Sequence, residues 1–146
     1  MSGFMPDSNC IIAVVLRGHQ HHQRAAAEID LRLNRGESLH LAAHSLIEAY
    51  SVLTRLPVTV RLDAEAAWRA LNDNFVSQGQ VWALSAAEYA DLLARTVSAG
   101  IVGGSIYDAV IAVCAEKAQV DAMLTFNERH FVRFASATLQ IVVPSA

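Results

Sequence analysis

The sequence contains few residues that crosslink a chain or interrupt it. Among 146 residues there are only three prolines and two cysteines, and no glycine- or serine-rich linker divides the chain. Cys10 and Cys114 both lie in apolar stretches, so we expect reduced packing residues and no disulfide. A chain of this length buries roughly 68–70% of its unfolded surface, so it needs no disulfide or structural metal to fold. We therefore expect a single domain over residues 1–146.

Charge and long apolar runs are also scarce. Charged residues make up 17% of the chain and its net charge is −3, which argues weakly against a protein that coats nucleic acid. The longest early apolar run, from Cys10 to Leu16, has seven residues, whereas a membrane-spanning helix needs about 20. Asp7 lies just before this run and no basic segment precedes it, which argues against a secretory signal. We expect a cytoplasmic protein with no membrane partner.

Short apolar segments alternate along the chain with longer, helix-like ones. The pattern predicts a capping box of Ser85 and Glu88 at one helix start and a C-terminal stop at Gly100. Alternating strands and helices imply crossover connections, and therefore a three-layer α/β/α domain with a mostly parallel central sheet. The predicted strands are 3–6, 38–42, 80–84, 122–125 and 139–143, and the predicted helices are 8–16, 23–34, 45–55, 63–76, 85–100, 105–118 and 128–134.

Four polar residues follow predicted strands or begin predicted helices: Asp7, Glu48, Asp108 and Asn127. Each has a structural explanation. Asp7 and Asn127 are suited to helix capping, and the segments 45–48 and 105–108 have the S-x-x-E/D pattern of a capping box. Taken together, however, they lie where ligands bind in open α/β sheets, outside the carboxyl ends of the strands.

The surroundings of two of these acids favour a metal site. Asp108 is the only charged residue between Ser105 and Ala115, and Glu48 lies in a similarly apolar helix. A buried carboxylate must be paired or bind a cation. If these acids meet Asp7 at one sheet edge, their charges raise one another's pKa values unless a metal neutralises them. A site with oxygen ligands and no His or Cys favours Mg²⁺ or Mn²⁺ over zinc.

Four segments, in order, resemble the motifs of PIN-domain nucleases. They are Pro6-Asp7-Ser8-Asn9, the run from Ser45 to Pro57 around Glu48, the run from Gly103 to Ala109 around Asp108, and the run from Leu124 to Phe131 around Asn127. Their order and spacing, and the length of the chain, are similar to the small VapC-type toxins of bacterial toxin–antitoxin pairs. The resemblance covers nearly the whole chain.

The resemblance implies a Mg²⁺- or Mn²⁺-dependent endoribonuclease, the toxin of a type II toxin–antitoxin pair. In that family Asp7, Glu48 and Asp108 would be the metal-binding acids, with catalytic Asn127 at a fourth position that is often Asp. Asn127 adds an amide oxygen but no charge, which leaves the occupancy of a second metal open. The implied partners are RNA, a cognate antitoxin whose tail blocks the acidic pocket, and a second copy of the chain in a homodimer.

Several further residues are candidates for supporting the site or contacting substrate. Asn9 is suited to orient Asp7 or a water molecule, although a turn residue explains it equally well. The cluster His19, His21 and His22 lacks helical i, i+4 spacing, so an exposed loop that touches substrate explains it better than a transition-metal site. The remaining candidates for these roles are Ser105, Arg17, Arg129 and His130, and for each a solvated or structural role is an open alternative.

Three other kinds of protein are alternatives for a chain with acids at its strand ends. A degenerate PIN domain that binds RNA or protein without cutting is the main alternative, motivated by Asn127. A phospho-receiver domain needs paired acids after the first strand and a late lysine, and the chain has neither. A haloacid-dehalogenase-type phosphatase needs an aspartate where Asn9 stands.

Overall fold

Five strands form one parallel sheet in the computed structural model, which describes residues 2–145. The strands are β1 (Gly3–Pro6), β2 (Ser38–Ala42), β3 (Gln80–Trp82), β4 (Ala122–Leu124) and β5 (Gln140–Val142). Their order is β3-β2-β1-β4-β5, with Phe4 of β1 in register with Leu39 of β2 and Ala122 of β4. All four pairs are parallel, so the predicted, mostly parallel sheet is confirmed.

Seven α-helices connect and cover the strands. They are α1 (Ser8–Val15), α2 (His22–Asn34), α3 (Ala43–Arg55), α4 (Ala64–Leu71), α5 (Ala86–Ala99), α6 (Ser105–Ala118) and α7 (Glu128–Phe131). A short π-helix at Asn72–Val76 follows α4, and a short 3₁₀ helix at Val132–Phe134 follows α7. No helix within residues 2–145 combines the length and apolar character needed to cross a membrane.

Side chains alternate between two cores along the central strand. Phe4 packs with α1 to α4 on one face of the sheet, and Met5 packs with α5 to α7 on the other. Because successive strand residues point to opposite faces, a strand buried on both faces must be apolar throughout, as β1 and β4 are. Cys10 and Cys114 are buried free thiols, one in each core, as the sequence predicts.

Of the three predicted capping boxes, one forms and two do not. Ser85 and Glu88 form the predicted capping box of α5, and Gly100 ends that helix with a positive φ of 67°. The capping box at 45–48 is wrong, because α3 begins directly after β2 with Ala42 at the N-cap, and Ser45 is buried within the first turn. The box at 105–108 is wrong for a similar reason, since Gly104 is the N-cap of α6.

Candidate active site

The four polar residues singled out by the sequence lie at a switch in strand order. From β1 the chain proceeds to β2 on one side, whereas β4 leads to β5 on the other. Such a reversal opens a crevice outside the carboxyl ends of the two central strands, where α/β proteins bind ligands. Asp7 follows β1, and Thr125 and Asn127 follow β4.

Asp7 is fixed in place by both neighbouring segments. One carboxylate oxygen, Oδ1, accepts the Cys10 backbone N–H at 2.9 Å and caps α1, and Oδ2 accepts the Thr125 hydroxyl at 2.6 Å. The side chain is almost fully buried, and this burial raises its pKa above the ordinary value, while the two hydrogen bonds act in the opposite direction. Asp108 adds a small further raise to the pKa through like-charge repulsion.

Glu48 enters the crevice from α3 and is held by two polar neighbours. The Ser8 hydroxyl donates to Glu48 Oε1 at 2.9 Å, and His44 Nε2 lies 3.2 Å from the same oxygen. The His44 distance is short, but its geometry does not make a hydrogen bond, so Nε2 remains buried without one among the described residues. The His44 ring stacks on Tyr107, with centroids 5.1 Å apart, and so links the starts of α3 and α6.

Asp108 enters from the first turn of α6. Its pKa is raised, mainly by partial burial and to a smaller degree by the negative charge of Glu48. The imidazoles of His130 and His44 lower the pKa of Asp108 in part, and His130 Nδ1 lies 3.8 Å from Asp108 Oδ2. Asp7, Glu48 and Asp108 are therefore electrostatically coupled acids, and their mutual repulsion favours a cation between them.

A small cleft of about 110 Å³ brings these groups together. Asp7, Glu48 and Asp108 line it along with Asn127, whose side chain makes no capping bond to α7 and is free to face the cleft. The other lining residues are Ser8, Asn9, Ile111, His130 and Phe131. The predicted acids, the amide and two of the supporting candidates, Asn9 and His130, thus meet in one place.

Three of the supporting candidates lie elsewhere. The Ser105 hydroxyl donates to the Val102 carbonyl and does not line the cleft. Arg129 is exposed on α7, and Arg17 lines a separate pocket beside α2. Three residues that were not among the candidates contact the acids directly: Thr125 holds Asp7, and Ser8 and His44 approach Glu48. The signals for them were a hydroxyl just after β4, a hydroxyl next to Asp7, and a histidine at i, i+4 spacing from Glu48.

The donors of the cleft fit a hard divalent cation in kind. They are carboxylate and amide oxygens, which suit Mg²⁺ or Mn²⁺. Within residues 2–145, no three His, Cys, Asp or Glu side chains converge closely enough to form a closed ligand set. Mg²⁺ commonly keeps several waters and takes only one or two protein carboxylates, so an open arrangement of acids around a small cleft suits it.

Comparison with known proteins identifies the family. A model of the PIN domain matches residues 4–137. The chain belongs to the PIN-domain family. Two curated relatives from Mycobacterium tuberculosis are Ribonuclease VapC40 of strain CDC 1551 / Oshkosh and Ribonuclease VapC27 of strain H37Rv. VapC40 is 34% identical over 113 residues, which cover 77% of this chain and 78% of VapC40. VapC27 is 33% identical over 109 residues, which cover 75% of this chain and 74% of VapC27.

A solved structure agrees with the fold of this PIN domain. The crystal structure of VapBC2 from Rickettsia felis, bound to a DNA fragment from their promoter, aligns with a TM-score of 0.67 at 18% identity. The alignment covers 96% of this chain and 97% of the Rickettsia chain. By homology the PIN domain is a VapC-family ribonuclease toxin of a type II toxin–antitoxin system.

Proposed function

We propose that this PIN domain is a Mg²⁺- or Mn²⁺-dependent endoribonuclease in which Asp7, Glu48 and Asp108 hold the cation and Asn127 completes the site. The observation that carries the proposal is the convergence of three electrostatically coupled carboxylates on one cleft of about 110 Å³ at the switch in strand order. Without a cation this acidic cleft repels a phosphodiester, so activity requires the metal.

Each residue of the cleft has a distinct task in this proposal. A divalent cation bound in the cleft would neutralise charge on the scissile phosphate and lower the pKa of a water molecule. Asp7, held by the Cys10 amide and the Thr125 hydroxyl, would be its fixed ligand. Glu48 on α3 and Asp108 on α6 add the other two negative charges of the cleft. In-line attack of water on phosphorus leaves a 5′-phosphate and a 3′-hydroxyl.

An RNA cleavage assay with mapped product ends tests the proposal. Wild-type protein with Mg²⁺ is expected to produce 5′-phosphate ends, EDTA to abolish cleavage, and added Mn²⁺ to restore it. Asp7→Asn and Asp108→Asn should each lose activity at least 100-fold, whereas Asp91→Asn, an exposed acid on α5 paired with Arg95, should retain it. Robust cleavage in EDTA, or full activity of both cleft variants, would overturn the proposal.

Asn127 favours one alternative function. An amide replaces the acid often found at this position in the family, so the site carries three carboxylates and has less negative charge to hold a second metal. A degenerate domain that binds RNA or protein without cutting it is therefore the second candidate. Metal-independent RNA binding with no product under any divalent cation would favour the second candidate.

The partners proposed from the resemblance are a cognate antitoxin and a second copy of the chain. Structural neighbours of the fold are VapBC and FitAB toxin–antitoxin complexes, which supports an antitoxin here. An exposed apolar patch is formed by Ile47 and Tyr50 on α3 and Trp68 on α4, two helices that pack against each other. Because α3 also supplies Glu48 to the cleft, we assign this surface to the antitoxin.

A further inference from the structure

A second, larger pocket lies beside the cleft at the carboxyl ends of the strands. Arg17, His19, His22 and Arg24 line this pocket of about 680 Å³, which we call the imidazole pocket. Arg24 donates from Nε and Nη2 to the carbonyl of Pro144, just beyond β5. These contacts place the pocket on the same end of the sheet as the cleft.

Arg24 connects the imidazole pocket with the cleft. Its guanidinium lies 5.2 Å from the centroid of the Phe126 ring, on which the His21 ring is stacked with centroids 4.2 Å apart. Phe126 is followed directly by Asn127, which lines the cleft. The contact of Arg24 with Phe126 therefore places the pocket near the Asn127 side of the cleft.

The hydrogen bonds of the histidines determine which ring nitrogens are free. His19 Nδ1 accepts the His21 backbone N–H at 3.0 Å, and His21 Nδ1 accepts from Arg24 Nη1 at 3.3 Å. A neutral imidazole whose Nδ1 accepts must carry its proton on Nε2. His19 and His21 thus each present an Nε2–H donor even when uncharged. Burial lowers the pKa of His19, and the neighbouring His21 and His22 lower it further, so the neutral form predominates at pH 7.

Within residues 2–145, the two arginines of the imidazole pocket form no ion pair, unlike Arg32 and Arg35 at the other end of α2. The one acid among the lining residues, Glu28, is bound by Arg32. The guanidinium groups of Arg17 and Arg24 and the Nε2–H of His19 form a site suited to an anion with several oxygen atoms. His22 also lines the pocket, but its Nδ1 donates to the Ala13 carbonyl, so its Nε2 accepts when the ring is neutral.

We propose that the imidazole pocket binds a backbone phosphate of the RNA strand whose scissile bond lies in the cleft. This inference rests on the proposed ribonuclease function and adds a second contact point on the Asn127 side. Single-stranded RNA is held by positive groups along its backbone and by aromatic stacking, and Phe126, in contact with Arg24, directly precedes Asn127 of the cleft. A transition-metal site is a poorer fit, because His19 and His21 use Nδ1 to accept and carry their protons on Nε2. Of the three rings, His22 alone has a free Nε2 lone pair, since its Nδ1 donates to the Ala13 carbonyl.

The test is RNA binding by the Asp108→Asn protein, which separates binding from cleavage. The probe is a fluorescein-labelled single-stranded RNA of mixed sequence, measured by anisotropy with Mg²⁺ over a range of salt concentrations. The double change Arg17→Gln with His19→Asn keeps an acceptor for the His21 N–H and removes the guanidinium charge and the imidazole ring. We expect affinity to fall at least fivefold. The slope of log Kobs against log salt should weaken by about 0.7 for each phosphate that the variant no longer neutralises.

Two controls make the result specific. Arg35→Gln removes the same charge from the other end of α2 and should leave the affinity within twofold of the parent. In nitrogen-15 spectra of the histidine side chains, RNA should shift Nε2 of His19 and leave His40, which is bonded to Trp82, unchanged. An unchanged RNA affinity in the double variant would overturn the proposal that the imidazole pocket binds an RNA phosphate. The absence of RNA binding by the Asp108→Asn protein itself would also overturn it. The ribonuclease proposal is judged separately by the cleavage assay.

Discussion

At the scale of single residues, the charged carboxylates of the cleft lower the stability of the folded protein when no cation is bound. Burial raises the pKa of both Asp7 and Asp108, and repulsion adds to it, from Asp108 on Asp7 and from Glu48 on Asp108. A carboxyl whose pKa is raised by folding makes its full contribution to stability below its unfolded pKa. That contribution is lost as the pH rises through the folded value. Without a cation, the folded protein is therefore weakened at neutral pH by the charges of its own site.

Because the raised pKa of Asp108 weakens the folded protein at neutral pH, we predict a stabilising effect of Asp108→Asn in the absence of divalent cations. The variant should melt at a higher temperature than wild type at pH 7.5, and the difference should shrink towards zero as the pH approaches the ordinary aspartate value of 3.8. Added Mg²⁺ should stabilise wild type through binding to the folded state and stabilise the variant less. Thermal denaturation in EDTA and in Mg²⁺ across pH 4–8 measures both effects. A variant less stable than wild type at every pH would contradict the prediction.

The site residues differ in how visible they are in the sequence. Asp7, Glu48, Asp108 and Asn127 are identifiable because each is a polar residue at the edge of an apolar element. Thr125 is not, since its role depends on a 2.6 Å contact with a residue 118 positions away. His44 is equally hidden, because its stacking on Tyr107 requires α3 and α6 to begin side by side. Long-range contacts of this kind are determined by packing, which no local pattern encodes.

At the scale of secondary structure, one sequence motif forms its predicted structure at only one of three positions. The S-x-x-E/D pattern occurs at 45–48, 85–88 and 105–108, but only the middle one forms a capping box. Ser85 lies in an exposed connection, where its hydroxyl is free to turn back onto Glu88. At Ser45 the helix has already begun, because the end of β2 fixes the start of α3. The end of β2 therefore overrides the capping signal at Ser45, so that α3 begins two residues before its predicted start. The elements and most of their first residues are predictable from the sequence, and α6 and α7 begin at the predicted Ser105 and Glu128.

Removing the one genuine capping box should have a measurable cost. Ser85→Ala loses the bond from the Glu88 backbone N–H, and we expect the free energy of unfolding to fall by about 1 kcal/mol in urea denaturation. The Lys117 ammonium lowers the pKa of Glu88 to about 2, so the glutamate half of the box remains charged well below pH 4. The control is Ser98→Ala, near the other end of α5, which should change stability by less than about 0.5 kcal/mol. Equal effects of the two changes would show that the box contributes nothing.

At the scale of the whole molecule, two groups of exposed apolar side chains lie on helices that cover opposite faces of the sheet. One is the patch of Ile47, Tyr50 and Trp68 on α3 and α4, of which α3 supplies Glu48 to the cleft. The other is a stripe on α5 formed by Tyr89, Leu93 and Val97, which are spaced four residues apart and are 40%, 60% and 84% exposed. Four-residue spacing places these side chains on one side of the helix. Two such patches suit two partners, and their positions indicate which partner each one takes.

The α5 stripe is suited to a second copy of the chain. A two-fold axis brings the same patch of both copies together, and a straight apolar stripe on a helix is complementary to itself when two helices pack antiparallel. We therefore predict that light scattering of the purified protein at about 100 µM gives twice the chain mass of 15.8 kDa. Leu93→Glu should give the mass of a monomer with an unchanged circular dichroism spectrum, because it places a charge in the centre of the apolar contact. Trp68→Glu, on the other face, should remain dimeric. A wild-type monomer would contradict the predicted dimer. A dimer lost only with Trp68→Glu would instead place the second copy on the patch of Ile47, Tyr50 and Trp68, which would then be closed to an antitoxin.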